Sequence, residues 1–358
     1  MRCWHAVATL DEVRAASPSP VAVTLLGERL AVADLSEPAE CARVVAFADR
    51  CPHRSARLSL GTVETGTAGA PAAVRCAYHG WRFGADGGCV AIPSAPGLPV
   101  PERARTPSHE VVVAYGLVWV RLEPGWPTVV PACPGWNEAG TRMVAGEPYQ
   151  LATSAERRVE NLVDLSHFAW VHDGSLGKRE RPVPPIPELR RVAGELRFDY
   201  DPPPLEIETD PTAMTGWSAY RMGMPFTVDI AFGAPSGAAA VASQLWFTVT
   251  PTTSTTCRTF WFVGRTSDLH GDDEPYMRFQ QQILDEDRPI VESSDPAEID
   301  LSGGVGDQES SVRTDRVSIQ YRRWLRELIA CRTPAELATC LQLPPSDALR
   351  LEPQRVTR

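Results

Sequence analysis

Short β-prone runs, broken by turn residues, fill the first third of the chain: residues 21–26, 30–34 and 43–48 each read as a strand. Residues 116–122, Gly-Leu-Val-Trp-Val-Arg-Leu, form another, closed by Glu-Pro-Gly. The segment 125–137 holds three prolines and two glycines, which exclude regular helix or central strand. The chain is expected to divide there into a β-rich domain, 1–125, and a mixed domain, 126–358. In the second half, 156–172 reads as a helix with polar residues on one side, and 173–190, rich in Pro and charge, as an irregular loop. Residues 197–200, 226–232, 244–250 and 258–264 read as strands. Apolar spacings of three and four predict helices over 276–284 and 319–329. Gly303, Gly304 and Gly306 lie in a polar stretch expected to be mobile. The fold class is therefore α+β, with an all-β first part.

Composition narrows the function. A length of 358 residues suits two domains, and 43% hydrophobic with 22% charged residues is the range of a globular enzyme. The net charge of −10 repels phosphate backbones, so nucleic acid is not an expected partner. The N-terminus has no apolar core of a secretion signal, and no run of 18 apolar residues exists, so a cytoplasmic protein without a membrane span is expected. Nine scattered cysteines, an odd number, argue against a disulfide framework.

Two of those cysteines sit in a metal pattern. Cys51-Pro-His53 and Cys76-Ala-Tyr-His79 are separated by 22 residues, so two short loops each supply one thiolate and one imidazole. That set can hold a [2Fe–2S] cluster with two Cys on one iron and two His on the other, which raises the potential above that of an all-Cys cluster. The same residue types can form a Cys2His2 zinc site, although zinc motifs usually group Cys with Cys and His with His. Further on, Asn161, Asp164 and His167 are three apart and would line one helical face. His172, five residues past His167, lies about 140° further round, so both imidazoles reach one metal only if the helix bends or ends near Trp170. Two His and one carboxylate on one face of Fe(II) leave positions open for O2. The plain alternative is a solvated helix that carries two histidines.

The flanks resemble a known family. Asp49-Arg-Cys-Pro-His-Arg-Ser-Ala-Arg-Leu-Ser-Leu-Gly61 and Arg75-Cys-Ala-Tyr-His-Gly-Trp-Arg-Phe-Gly84 resemble the two cluster loops of Rieske oxygenases. So do Asp86-Gly-Gly-Cys-Val-Ala-Ile-Pro93, Cys3-Trp-His-Ala-Val-Ala and Tyr115-Gly-Leu-Val-Trp-Val. The segment 156–173 resembles the family's Asn-x2-Asp-x2-His-x4-His iron motif at all four positions. The spacer between the loops is longer than usual for the family, through the stretch 65–73, and Ser55 and Arg57 stand where Gly and Pro are frequent.

The resemblance implies a small all-β Rieske domain, then a catalytic domain with a curved antiparallel sheet around a long helix (a helix-grip arrangement). It implies Cys51, His53, Cys76 and His79 as cluster ligands, and His167 and His172 as ligands of the mononuclear iron. By the match of Leu284-Asp-Glu-Asp-Arg-Pro-Ile-Val-Glu292, Asp287 is the third ligand and Asp285 the runner-up. The branch it most resembles is that of homotrimeric vanillate and dicamba O-demethylases. There Asp164, with Asn161 beside it, would link His79 of one chain to His167 of the next, since the two sites within one chain lie too far apart for fast transfer.

The activity implied is a monooxygenase: O2 and electrons from NAD(P)H, passed by a ferredoxin or flavin reductase, hydroxylate or dealkylate a small cyclic or aromatic substrate. N-oxygenation of an amine, a bare Rieske electron carrier and a zinc-binding module are the alternatives. Leu162, Phe168, Phe226, Leu245, Phe247 and Phe262 are candidates for an apolar pocket, although each reads more readily as core, since alternate residues of a strand must face one. Arg50, Arg54, Arg57, Arg75 and Arg82 against Glu64 alone make residues 50–82 locally +4, a candidate docking patch for the electron donor.

Overall fold

The computed structural model describes residues 1–36, 43–67, 70–201, 217–233, 242–301 and 309–343. The glycines 303, 304 and 306 lie outside the described residues. Contacts divide the chain into two units, one of Met1–Val130 and one beginning at Pro131.

The first unit is almost all strand: β1 (His5–Thr9), β2 (Val21–Leu25), β3 (Glu28–Asp34), β4 (Val44–Ala48), β5 (Thr62–Glu64), β6 (Ala73–Arg75), β7 (Arg82–Phe83), β8 (Cys89–Ala91), β9 (Ser108–Ala114) and β10 (Leu117–Arg121). A short helix, α1 (Leu10–Ala15), follows β1, with Thr9 and Glu12 forming a capping box. The strands make a six-stranded sheet in the order β1-β10-β9-β4-β3-β2 and a four-stranded sheet in the order β5-β6-β7-β8. The smaller sheet has its own core: Leu58, Val74 and Phe83 pack with Cys51, Cys76, Ala31 and Phe47. Burial of those apolar chains holds the two cysteine loops in place.

The second unit is built on an eight-stranded antiparallel sheet, β11 (Arg142–Ala145), β12 (Tyr149–Leu151), β13 (Arg190–Val192), β14 (Glu195–Tyr200), β15 (Ser218–Gly223), β16 (Thr227–Phe232), β17 (Ser243–Pro251) and β18 (Cys257–Arg265). Its order is β11-β18-β17-β16-β15-β14-β13, with β12 also on β18. The sheet is curved, as the resemblance implies. Helices α2 (Ala155–Val163), α3 (Phe168–Val171), α4 (Glu274–Val291), α5 (Arg316–Ala330) and α6 (Pro334–Cys340) complete the unit, and α2 packs on β16–β18, α4 and α5.

Two expectations change here. The helix expected over 156–172 is two helices, because Asp164 leaves α2 in an extended conformation and its Oδ1 accepts the Ser166 N–H at 2.8 Å. That local side-chain turn competes with the helical ladder. The helix expected over 276–284 continues to Val291 despite Pro289, which removes a single N–H near the last turn.

Strand parity sorts the sheet's two faces. Tyr220, Ile230, Leu245 and Val263 stand in one cross-strand row, whereas Asp229, Trp246 and Phe262 stand in the neighbouring row and face the other way. On that other face, Gln244 hydrogen-bonds the buried Asp229. Burial pushes the Asp229 carboxyl up to about 6, against the pull of the Gln244 bond. A carboxyl raised in the folded state contributes most stability below its unfolded value, near 3.8, and that contribution is lost as pH rises through about 6. Asp229→Asn is therefore expected to stabilise the protein by about 2–3 kcal/mol at neutral pH. It should also flatten the change in unfolding temperature between pH 4 and 6, and an unchanged pH profile would contradict this.

Candidate metal centres

The two cysteine loops of the first unit are near copies of each other. Cys51 N–H donates to Ala56 O at 2.8 Å and Ser55 N–H to Cys51 O at 2.9 Å; Cys76 N–H donates to Trp81 O at 2.8 Å and Gly80 N–H to Cys76 O at 3.0 Å. Both loops turn through the left-handed region, at Ser55 (φ 59°) and Gly80 (φ 72°). The departure from Gly at 55 therefore keeps the turn, and Ser55 Oγ accepts from Arg50 Nε at 2.9 Å. The loops bring Cys51 and Cys76 together, buried, and set the His53 and His79 rings 4.5 Å apart. His53 also stacks on Trp81 at 4.6 Å.

This donor set fits a cluster. Among the described residues His53 Nδ1 is buried without a hydrogen-bond partner, which is costly for a polar atom unless something else occupies it. Burial pushes the Cys51 thiol up to about 11, against the pull of the His53 N–H, and the facing Cys76 thiol adds to the rise. Such a buried thiol becomes a thiolate readily only beside a metal. Around the loops, Arg54 and Arg57 are exposed, whereas Arg75 and Arg82 both pair with Glu64 at 2.7 Å. The expected docking patch thus reduces to Arg50, Arg54 and Arg57.

In the second unit, α2 carries Asn161, the break after it carries Asp164, and His167 is the first residue of the turn that becomes α3. His172 caps the end of α3, and Gly174 (φ 92°) turns the chain away. The end of α3 at Val171, one residue past Trp170, brings the two imidazoles together as their spacing required, and the break after Val163 sets both apart from α2. His167, His172 and Asp287 offer ligand atoms all within 4.8 Å of one another. Asp287 Oδ1 lies 3.4 Å from His167 Nε2 and 3.1 Å from His172 Nε2. Asp285 is exposed and accepts from Gln281 Nε2 at 2.9 Å, so of the two candidate acids Asp287 is the one at this centre.

The far side of each imidazole faces a carboxylate, and that of His172 is held by one. His172 Nδ1 is 2.7 Å from Glu286 Oε2, and His167 Nδ1 is 3.5 Å from Asp164 Oδ2, beyond normal hydrogen-bond length. Such partners orient metal-binding imidazoles and fix their tautomer. Burial opposes charge on His167, but the Asp164 and Asp287 carboxylates prevail and raise it to about 9 in the metal-free protein. Burial likewise opposes ionisation of Asp287, yet His167, His172 and Arg158 hold it well below the carboxylate range. Two imidazoles and a carboxylate that converge on one point make a place fit for a cation. Sequence reasoning missed Glu286 and Arg158; the only available signals were their positions beside Asp287 and three residues before Asn161.

The centre opens into a partly enclosed cavity between the sheet and helices α2 and α4. Leu162, Phe168, Leu245 and Phe247 line it as expected, with Phe232 and Ile283 besides. Phe262 does not: it lies on the opposite face against Trp136 and Trp246. Phe226 precedes β16 and stays outside the lining. No helix among the described residues is long and apolar enough to cross a membrane.

Comparisons agree with both centres. A family model described as the Rieske [2Fe–2S] domain matches residues 3–102, and one described as the vanillate O-demethylase oxygenase C-terminal domain matches residues 151–331. The chain is 38% identical to the methylxanthine N3-demethylase of Pseudomonas putida over 91% of its length and 88% of that protein's. It superposes on the structure of Pseudomonas putida CBB5 NdmA with caffeine at a TM-score of 0.84, with 34% identity over 95% and 94% of the two chains. Dicamba monooxygenase, 22% identical with a TM-score of 0.71 over 95% and 97% of the two chains, shares the fold. Proteins of this kind carry a [2Fe–2S] cluster and a mononuclear Fe(II), use O2, and draw electrons from NAD(P)H through a partner reductase or ferredoxin. With family matches in both parts of the chain, the reading as a bare electron carrier falls away, and the chain belongs to the Rieske non-heme iron monooxygenases.

Proposed function

We propose that this chain is the oxygenase component of an N-demethylase whose substrate is a small, flat, N-methylated heterocycle of the methylxanthine type. The observation that carries the reading is the polarity of the cavity. Its walls are mostly apolar, with Tyr200, Ser218 and Tyr220 among them, and Gln280, only 3% exposed, lines it with no hydrogen-bond partner among the described residues. An amide offers a donor and an acceptor together, which suits the carbonyl and ring-nitrogen edge of such a heterocycle. An aromatic carboxylate would need a cation, and the cation in this lining, Arg158, is already committed to Asp287. The similarity to methylxanthine demethylases points the same way.

The overall reaction would be N–CH3 + O2 + NAD(P)H + H⁺ → N–H + HCHO + H2O + NAD(P)⁺. In this reading Cys51, His53, Cys76 and His79 hold the cluster, and His167, His172 and Asp287 hold the iron, which supplies the position where O2 is activated. Asn161 Nδ2 donates to Asp287 Oδ1 at 3.1 Å and steadies it. Leu162, Phe168 and Phe247 hold the ring flat and keep water out, and Gln280 sets which methyl faces the metal. A homotrimer, cytoplasmic, completes the proposal: Asp164 lies in a surface cleft with Val171 and Ile290, and Ile290 is 55% exposed, which suits a neighbouring subunit's cluster domain.

The test is a panel of methylxanthines and methoxybenzoates, supplied with a surrogate reductase and assayed for O2 uptake and formaldehyde. Formaldehyde equal to O2 consumed on N-methyl substrates is expected; turnover of methoxybenzoates alone would overturn the reading. Within it, Gln280→Leu should lower kcat/KM for the preferred heterocycle by about 10–100-fold, the worth of a buried hydrogen bond, with cluster and iron content unchanged.

For the electron donor, the reduction rate of the cluster is expected to fall with added salt, because steering between exposed charges fades as the Debye length shrinks to about 8 Å at physiological ionic strength. It should fall further in an Arg54→Glu, Arg57→Glu variant. A rate indifferent to both changes would place the donor elsewhere.

A further inference from the structure

We propose that Arg158 is a positioning residue of the iron centre, tying down one oxygen of Asp287 and balancing the local charge so that the ferrous ion is favoured over the ferric. The inference rests on His167, His172 and Asp287 being the metal ligands.

Arg158 sits on α2 with 1% of its side chain exposed. A guanidinium is almost never that buried without partners. Here Nη1 donates to Asp287 Oδ2 at 3.0 Å and also to Asn161 Oδ1, while Nη2 and Nε reach the Tyr149 hydroxyl at 2.7 and 3.2 Å. The carboxylate of Asp287 is thereby divided. Oδ2 belongs to Arg158, and Oδ1 is the oxygen that faces both imidazole Nε2 atoms. The guanidinium is itself anchored on Tyr149 through Nη2 and Nε, and its one N–H on Oδ2, with the Asn161 amide on Oδ1, fixes the rotamer that a metal needs.

The charges point further. Asp287, Glu286 at His172 and Asp164 at His167 bring three negative charges to the centre. Neighbouring arginines have carboxylates of their own: Arg157 pairs with Glu309, Arg288 with Glu292 and Arg322 with Glu160. Arg158 alone of these is paired to the proposed iron ligand. Three carboxylates and one guanidinium leave −2, which a divalent ion neutralises. Without the guanidinium the set is −3 and matches a trivalent ion. Uncompensated charge is expensive in a buried site, so the guanidinium weights the balance toward the lower oxidation state.

The test is a redox titration of the mononuclear iron, followed by its ferric EPR signal, in the holoenzyme and in the Arg158→Met and Arg158→Lys variants. The visible spectrum of the cluster serves as the check on folding. Arg158→Met should shift the ferric/ferrous equilibrium toward ferric by about tenfold or more, a fall of about 59 mV per tenfold for one electron. Arg158→Lys keeps the charge but not the fork, and should stay within about threefold of the parent. An unchanged potential in Arg158→Met overturns the proposal. So does a fall in Arg158→Lys of about tenfold, and that variant decides the matter if Arg158→Met does not fold. Failure of the ligand assignment itself would look different: His172→Ala would then retain full mononuclear iron.

Discussion

Replacing His167 or Asp287 with alanine is expected to leave a brown protein that has lost its mononuclear iron and its turnover. The reason is the separation of ligand sets. The proposed cluster ligands Cys51, His53, Cys76 and His79 come from two loops of the first unit, and the proposed iron ligands His167, His172 and Asp287 from the two ends of α3 and from α4 of the second. Removing one of three proposed iron ligands should cost at least as much affinity as losing a partner behind a ligand, about 100-fold. Iron content, the visible spectrum and O2 uptake together check this. Bleaching of the cluster spectrum in either variant would contradict separate sites.

Asp164→Asn is expected to keep both metals and yet turn over about 10–100-fold more slowly. Oδ1 of Asp164 accepts the Ser166 N–H that ends α2, and an asparagine carbonyl can do the same, so the break in the helix should survive. What the substitution removes is the charge at Oδ2, facing His167 Nδ1. Burial opposes ionisation of Asp164, but His167 and Ser166 hold its carboxyl below the usual value, so it is charged when it acts. The proposed role is to link the cluster of one subunit to the iron of the next. Single-turnover kinetics should show slow oxidation of the cluster, and oxidation at the parent's rate would remove Asp164 from the path.

Local chemistry was legible in the sequence, and distant partners were not. Each cluster loop carries its Cys and His within three residues, so the motif declares itself, and the loop hydrogen bonds are set by the same few residues. The iron motif was legible as a set of residues but not as a shape. Spacing alone put Asn161, Asp164 and His167 on one continuous helix, whereas the Asp164 carboxylate caps and ends it. Asp287 lies 115 residues beyond His172, amid acids that spacing cannot rank, and resemblance alone picked it out.

The arrangement around the ligands follows from packing. Phe262 is apolar and strand-borne like Phe247, and only the register of β17 on β18 shows that it faces the other way. β15 was missed because six residues of small and polar character, Ser-Ala-Tyr-Arg-Met-Gly, become a strand through pairing with β14 and β16. Arg158 looked like one more helical arginine until Asp287 and Tyr149 were seen to close around it.

The most direct test of the account is a count of metals on the purified chain. Two independent centres require about three irons and two acid-labile sulfides per chain, falling to about two irons and two sulfides in His167→Ala. Zinc in place of iron and sulfide, or an iron count that His167→Ala leaves unchanged, would contradict it.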